Sequence, residues 1–278
     1  MRILGHYQTR ADIGETLIAV ATDKEQTLIH YTIEGRIACV ALDRPPVNCF
    51  DESQLASLAG IVDEIAANSS ISVLLIRAEG KRFCAGADIK LLEDWTKQAD
   101  GFAQQESFAA KLQRTFARIS SLPIPTIAAV RGAATGGGLE LALACDIRIF
   151  DLDARVGLTE VRLGLLPGAG GTQRLAAAVG RNMALRLMLR GEVFSGREAV
   201  SLGLAEFGER EGDVEARARA LAEEISQWPR SALVAIKACV LAQDGGSDGY
   251  EREITATRML AREAETQSLI ADFFSKKG

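Results

Sequence analysis

Apolar positions along this chain follow two rhythms. Short unbroken apolar runs bounded by glycine and proline predict strands over residues 28–33, 36–42, 72–78, 126–130 and 146–150. The first two flank Glu34-Gly35 and form a hairpin, which Pro45-Pro46 ends because proline lacks a donor and fixes its own dihedral. Elsewhere the spacing lengthens to that of a helix. Leu55, Leu58, Ala59, Val62 and Ile65 share one face behind Asp51, a natural N-cap. Phe108, Leu112, Phe116 and Ile119 share another, stopped by Pro123-Ile124-Pro125. Residues 136–144 predict a third helix, apolar on every face and therefore buried.

Strand, glycine turn and helix recur in that order, which predicts an α/β fold of repeated ββα units rather than a bundle. The chain divides into a leader over 1–27 of unassigned role, a core over 28–207 and a helical region over 208–278. In the last, Val214, Ala218, Leu221, Ala222 and Ile225 share a face, as do Leu233, Ile236 and Val240. Apolar stripes that project past a core have to be covered, so self-association is expected.

Composition narrows the function classes. At 278 residues and 47% hydrophobic, the chain has ample core for one large domain. A net charge of −5 disfavours nucleic acid as a partner. There are two histidines, His6 and His30, and five cysteines without a CxxC, so neither a zinc site nor a Ser-His or Cys-His triad is expected. Reduced thiols fit a cytoplasmic location. No apolar run approaches a membrane span, and the leader, with Asp12, Glu15, Asp23 and Glu25, resembles no signal peptide.

Two small-residue bends carry the candidate chemistry. Cys84-Ala85-Gly86-Ala87-Asp88 and Gly136-Gly137-Gly138-Leu139-Glu140 each let a ligand approach backbone N–H groups closely, as an enolate or tetrahedral oxyanion requires. Glu140 stands alone in a buried apolar helix, where an ionised carboxylate is costly unless it is functional, meets a surface edge or pairs with an arginine. Asp88 reads equally as the N-cap of the next helix. Glu160 reads equally as a surface residue paired with Arg155 or Arg162. The turn Pro167-Gly168-Ala169-Gly170-Gly171-Thr172 opens a helix but has neither nucleotide-loop spacing.

Taken together, Leu42-Asp43-Arg44-Pro45, residues 83–89, residues 136–142, Thr159-Glu160 and the 167–172 turn resemble the enoyl-CoA hydratase/isomerase (crotonase) superfamily in order and spacing. The resemblance covers about residues 29–236. It implies a spiral of ββα units with a C-terminal helical region that builds trimers, commonly paired into hexamers. It implies an acyl-CoA thioester substrate, with CoA as its carrier and no separate cofactor. It assigns the Ala85 and Gly137 N–H groups to the thioester oxygen. It also places Gly86, Ala87, Asp88 and Gly168 at the substrate, with the Gly168 N–H helping to hold a water and a glutamate. Glu140 and Glu160 become the base toward water and the proton donor to Cα, and keeping both resembles the hydratases. The alternatives are an isomerase, a hydratase of branched or alicyclic acyl-CoA, and a non-catalytic or RNA-binding homologue.

The chain also departs from the family. Thr159 replaces a frequent proline, and the tail 268–277 lacks the usual aromatic and Glu-Lys-Arg cluster. Arg44, Lys81 and Arg82 are candidates for the charged end of CoA, and equally for solvated surface. The acyl pocket is expected within 89–118.

Overall fold

The computed structural model describes residues 28–242 and 249–275, so the leader over 1–27 lies outside the described residues. Its centre is a sheet in the order β1-β2-β3-β4-β6-β9. β1 (Ile29–Glu34) and β2 (Ile37–Leu42) form the expected antiparallel hairpin, with Thr32 opposite Cys39. β3 (Val73–Ala78), β4 (Thr126–Val130), β6 (Ile147–Asp151) and β9 (Phe207–Glu209) continue it in parallel. A smaller sheet, β5-β7-β8, stands beside it, formed by β5 (Ala133–Thr135), β7 (Arg155–Gly157) and β8 (Phe194–Ser195).

The apolar runs are continuous because the central strands are covered on both faces. Side chains alternate across the sheet. Ala38, Val40 and Leu42 of β2, with Leu74 and Ile76 of β3, enter the main core. Ile37 and Cys39, with Val73, Leu75, Ile127 and Ile149, enter a second core on the opposite face. α1 (Glu52–Ala67) packs into the first through Leu55, Leu58, Val62 and Ile65, and Asp51 caps it by accepting from the Gln54 N–H at 2.9 Å. α3 (Gly101–Ser121) joins that core through Phe108, Leu112, Phe116 and Ile119 and follows α2 (Ile89–Thr96).

β4 and β6 of the main sheet each hand over to a strand of the small sheet and then to a helix, which is the ββα spiral. β4 and β5 lead to α4 (Gly137–Leu143), buried along its whole length. β6 and β7 lead to a 3-10 turn over Glu160–Leu163, then α5 (Gly171–Val179) and α6 (Arg181–Leu189). β8 leads to α7 (Gly196–Ser201) and back to β9.

Two features differ from expectation beyond residue 207. β9 straddles the 207/208 division, and α8 (Val214–Ser226) closes the second core through Val214, Ala218, Leu221 and Ala222. The short β9 run carries too little apolar pattern to announce a strand. α9 (Arg230–Leu241), α10 (Gly249–Leu260) and α11 (Ala264–Ser275) project beyond. On α9 the buried residue is Lys237, whose ammonium donates to the Ile124 carbonyl at 3.0 Å and to Asp146 at 2.7 Å. That ion pair turns the Ile236 and Val240 stripe outward, leaving both more than half exposed.

Candidate active site

From Phe83 to Asp88, in the bend after β3, every N–H except one has an acceptor among the described residues. Phe83 donates to the carbonyls of Arg131 and Ala133, and Cys84 to Ala133 at 3.2 Å. Ala85 donates to the Val47 carbonyl at 2.9 Å, Gly86 to the Cys84 Sγ at 3.3 Å, and Asp88 to the Phe50 carbonyl at 2.8 Å. The Ala87 N–H has no acceptor among the described residues, and Ala87 lines a cavity of about 530 Å³. An unpaired backbone donor is uncommon enough to mark a ligand position.

This corrects the expected donor. The Ala85 N–H is already bonded, because the segment 47–50 runs alongside the bend and takes alternate groups from it. Ala85 lines the same cavity, but the free amide there belongs to Ala87. Gly86 makes the bend feasible. Its φ is +87°, and a Cβ on it would fall 2.8 Å from the Gly137 nitrogen. Asp88 has a structural position: it caps α2 by accepting from the Lys90 N–H at 3.1 Å and pairs with Arg44 at 2.8 Å. Arg44 also meets Asp51 at 3.1 Å and the Cys49 carbonyl at 3.1 Å, so its guanidinium is held within the fold rather than presented to a phosphate. Lys81 and Arg82 are exposed beside the bend.

The second bend supplies the facing amide. Gly136 donates to the Gly157 carbonyl at 3.0 Å, while the Gly137 N–H, first in α4, has no acceptor among the described residues. A Cβ on Gly137 would lie 3.7 Å from the Ala87 nitrogen, so the two free amides flank one corner of the cavity. Gly138 is packed differently: a Cβ there would sit 2.0 Å from the Cys84 carbonyl oxygen, and only glycine permits that approach.

Glu140 and Glu160 line the same cavity. Glu140 is 3% exposed, and its Oε1 accepts from the Ala169 and Gly171 N–H groups, both at 2.8 Å. These two donors, rather than the Gly168 N–H, hold the glutamate. The Gly168 N–H has no acceptor among the described residues and also lines the cavity. Burial pushes the Glu140 carboxyl up, against the pull of both amides and the nearby Arg174 guanidinium, and the net direction is upward. Arg174 steadies the turn by donating to the Ala169 carbonyl at 2.9 Å.

Glu160 reaches the cavity from the 3-10 turn, with Thr159 beside it on the wall. Its Oε2 is buried and has no hydrogen-bond partner among the described residues. Burial, together with the Glu140 charge and against its own backbone amide, raises its pKa to about 7. The two carboxyls therefore differ in kind: Glu140 accepts from two amides of the 167–171 turn, whereas burial of Glu160 is opposed by its own backbone amide.

A stability signature follows from Glu160. The ordinary value is 4.5, so between about pH 4.5 and 7 the folded chain binds a proton that the unfolded chain releases. This group therefore disfavours folding increasingly as pH rises through that window. Glu160→Gln should raise the thermal midpoint relative to the parent at about pH 8.5 and change it little at about pH 4.5. Paired melting curves check this, and a pH-independent difference contradicts the burial argument.

Comparison with known proteins gives the site its context. A profile of the family described as enoyl-CoA hydratase/isomerase matches residues 32–275. A probable enoyl-CoA hydratase of Bacillus subtilis (strain 168) is 39% identical over 209 residues, 75% of this chain and 80% of that protein. The mitochondrial methylglutaconyl-CoA hydratase of Mus musculus is 38% identical over 188 residues, 66% of this chain and 58% of that protein. Among solved structures, an enoyl-CoA hydratase from Bacillus anthracis shows a TM-score of 0.84 at 30% identity, covering 90% of this chain and 97% of the other. With the profile spanning both bends, both glutamates and the spiral that brings them together, this chain belongs to the enoyl-CoA hydratase/isomerase family, in the crotonase superfamily.

Proposed function

We propose that the protein is an enoyl-CoA hydratase, adding water reversibly and syn across the 2,3-double bond of an enoyl-CoA thioester. The observation that carries this reading is one cavity lined by two unbonded amides, Ala87 and Gly137, and two carboxyls, Glu140 and Glu160. In this mechanism both amides donate to the thioester oxygen and stabilise the enolate that forms when Cβ is attacked. Each donor of this kind contributes about 2.7–4 kcal/mol to the transition state.

The two acids divide the proton work. Glu140, with two N–H donors stabilising its charged form, takes a proton from the water that attacks Cβ. Glu160, lacking a donor at Oε2, holds its proton and delivers it to Cα. In this reading the Gly168 N–H, which also lines the cavity, donates to the water's oxygen. A double-bond isomerase needs only one shuttling carboxyl, so two around one cavity favour hydration.

No cofactor beyond the substrate's own CoA is assigned, and Lys81 and Arg82 remain the candidates for its phosphates. The exposed Trp228, Ile236 and Val240 support self-association of the chain through the C-terminal helices. Among the described residues no helix is long and apolar enough to cross a membrane.

Loss of the conjugated double bond on mixing protein with crotonyl-CoA, followed by ultraviolet absorbance, tests the reading. We expect turnover on crotonyl-CoA or a longer homologue. A folded protein inert toward every chain length contradicts it. The relatives' names span plain enoyl and methylglutaconyl thioesters, which leaves the acyl group to the pocket itself.

A further inference from the structure

Beyond the reacting atoms, the cavity runs between α2 and α3 into a wall of distinct character. Leu92 and Trp95 of α2 face Phe108 and Leu112 of α3, with the Trp95 and Phe108 rings 5.5 Å apart. At the mouth, Ile89, Phe102, Leu163 and Leu166 also line the space and are each more than 60% exposed. Among the described residues, the ionisable ones that line it are Glu140, Glu160 and Glu106, with no lysine, arginine or histidine. Glu106 stands one residue after the lining Gln105 on α3.

Resting on the hydratase reading above, we propose that the acyl end of this site takes uncharged, apolar chains and rejects chains ending in a carboxylate, with Glu106 as a specificity-determining residue. Two effects act together, and their sizes differ. A distal carboxylate entering the Leu92–Trp95–Phe108 wall loses its hydration and finds no cation, a cost of several kcal/mol. Repulsion from Glu106 is weaker, because that side chain is exposed and screened by water. Desolvation sets the preference and Glu106 sharpens it. For neutral chains, each methylene laid against the wall is worth up to about fourfold in kcat/KM.

The test compares crotonyl-CoA, 2-pentenoyl-CoA, 2-octenoyl-CoA and glutaconyl-CoA, whose chain matches pentenoyl in length but ends in a carboxylate. The full chain is assayed alongside Glu106→Lys and Glu106→Gln. We expect kcat/KM to rise from crotonyl to octenoyl, and glutaconyl-CoA to fall roughly 100-fold or more below pentenoyl-CoA. Glu106→Lys should narrow that gap by about three- to tenfold through a gain on glutaconyl-CoA, and Glu106→Gln should fall between. Equal turnover of glutaconyl and pentenoyl thioesters, or a gap unmoved by Glu106→Lys, overturns the proposal. If no thioester is hydrated, the hydratase reading falls by itself. Titration with the saturated pairs valeryl-CoA and glutaryl-CoA then decides pocket selectivity, equal affinity overturning it and a preference for valeryl-CoA supporting it.

Discussion

Glu140→Gln is expected to leave the protein folded and to lower hydration turnover by about three orders of magnitude, within the range for loss of a general acid or base. The side chain is nearly isosteric, and its amide oxygen can keep accepting from the Ala169 and Gly171 N–H groups that now hold Oε1. What disappears is basicity. A neutral amide cannot take a proton from water, so attack on Cβ loses its driving group while thioester binding stays. The signature is a fall in kcat with KM and CoA affinity close to the parent's. Parallel loss of turnover and CoA affinity, with a depressed melting point, points to damage at the 167–171 turn instead. A kcat within tenfold of the parent removes Glu140 from the base role.

Gly86→Ala has the second largest expected effect, and it acts without touching an acid. Its Cβ would fall 2.8 Å from the Gly137 nitrogen and 3.1 Å from the Thr135 carbonyl oxygen, all backbone atoms that cannot rotate away. The φ of +87° adds strain of about 1–3 kcal/mol for any L side chain. Either the bend or the start of α4 has to move, and Ala87 and Gly137 then no longer flank one point. Loss of one such donor costs about 10²–10³ in kcat. Steady-state kinetics and melting curves should show that fall together with a destabilised fold. The discriminating readout is binding: affinity for an acyl-CoA should drop relative to free CoA, whose contacts lie elsewhere. An unchanged kcat contradicts the oxyanion assignment.

Much of this architecture is written locally. The buried strands show as unbroken apolar runs because both sheet faces are covered, one by α1 and α3 and the other by α8. Glu140 is legible because a lone carboxylate in a wholly apolar helix has few explanations, and burial at 3% exposure selects among them. What escapes the sequence is set by contacts distant along the chain. Ala85 and Ala87 are equivalent as text. They differ only because the Val47 carbonyl takes one N–H and leaves the other, and nothing near residue 85 announces Val47. Glu160 reads equally as a surface acid or a functional one until the spiral lays its 3-10 turn against the Gly136 bend. Arg44 looks available for phosphate until Asp51 and Asp88 arrive on either side. The Ile236 and Val240 stripe faces outward because Asp146, from before β6, takes Lys237 inward.

Direct structure determination with a bound acyl-CoA thioester tests the central claim. We expect the carbonyl oxygen within about 2.7–3.1 Å of both the Ala87 and the Gly137 nitrogen, with Glu140 and Glu160 facing the acyl Cα and Cβ. A thioester oxygen turned away from that pair, or bonded to the Ala85 amide in place of Val47, contradicts the account.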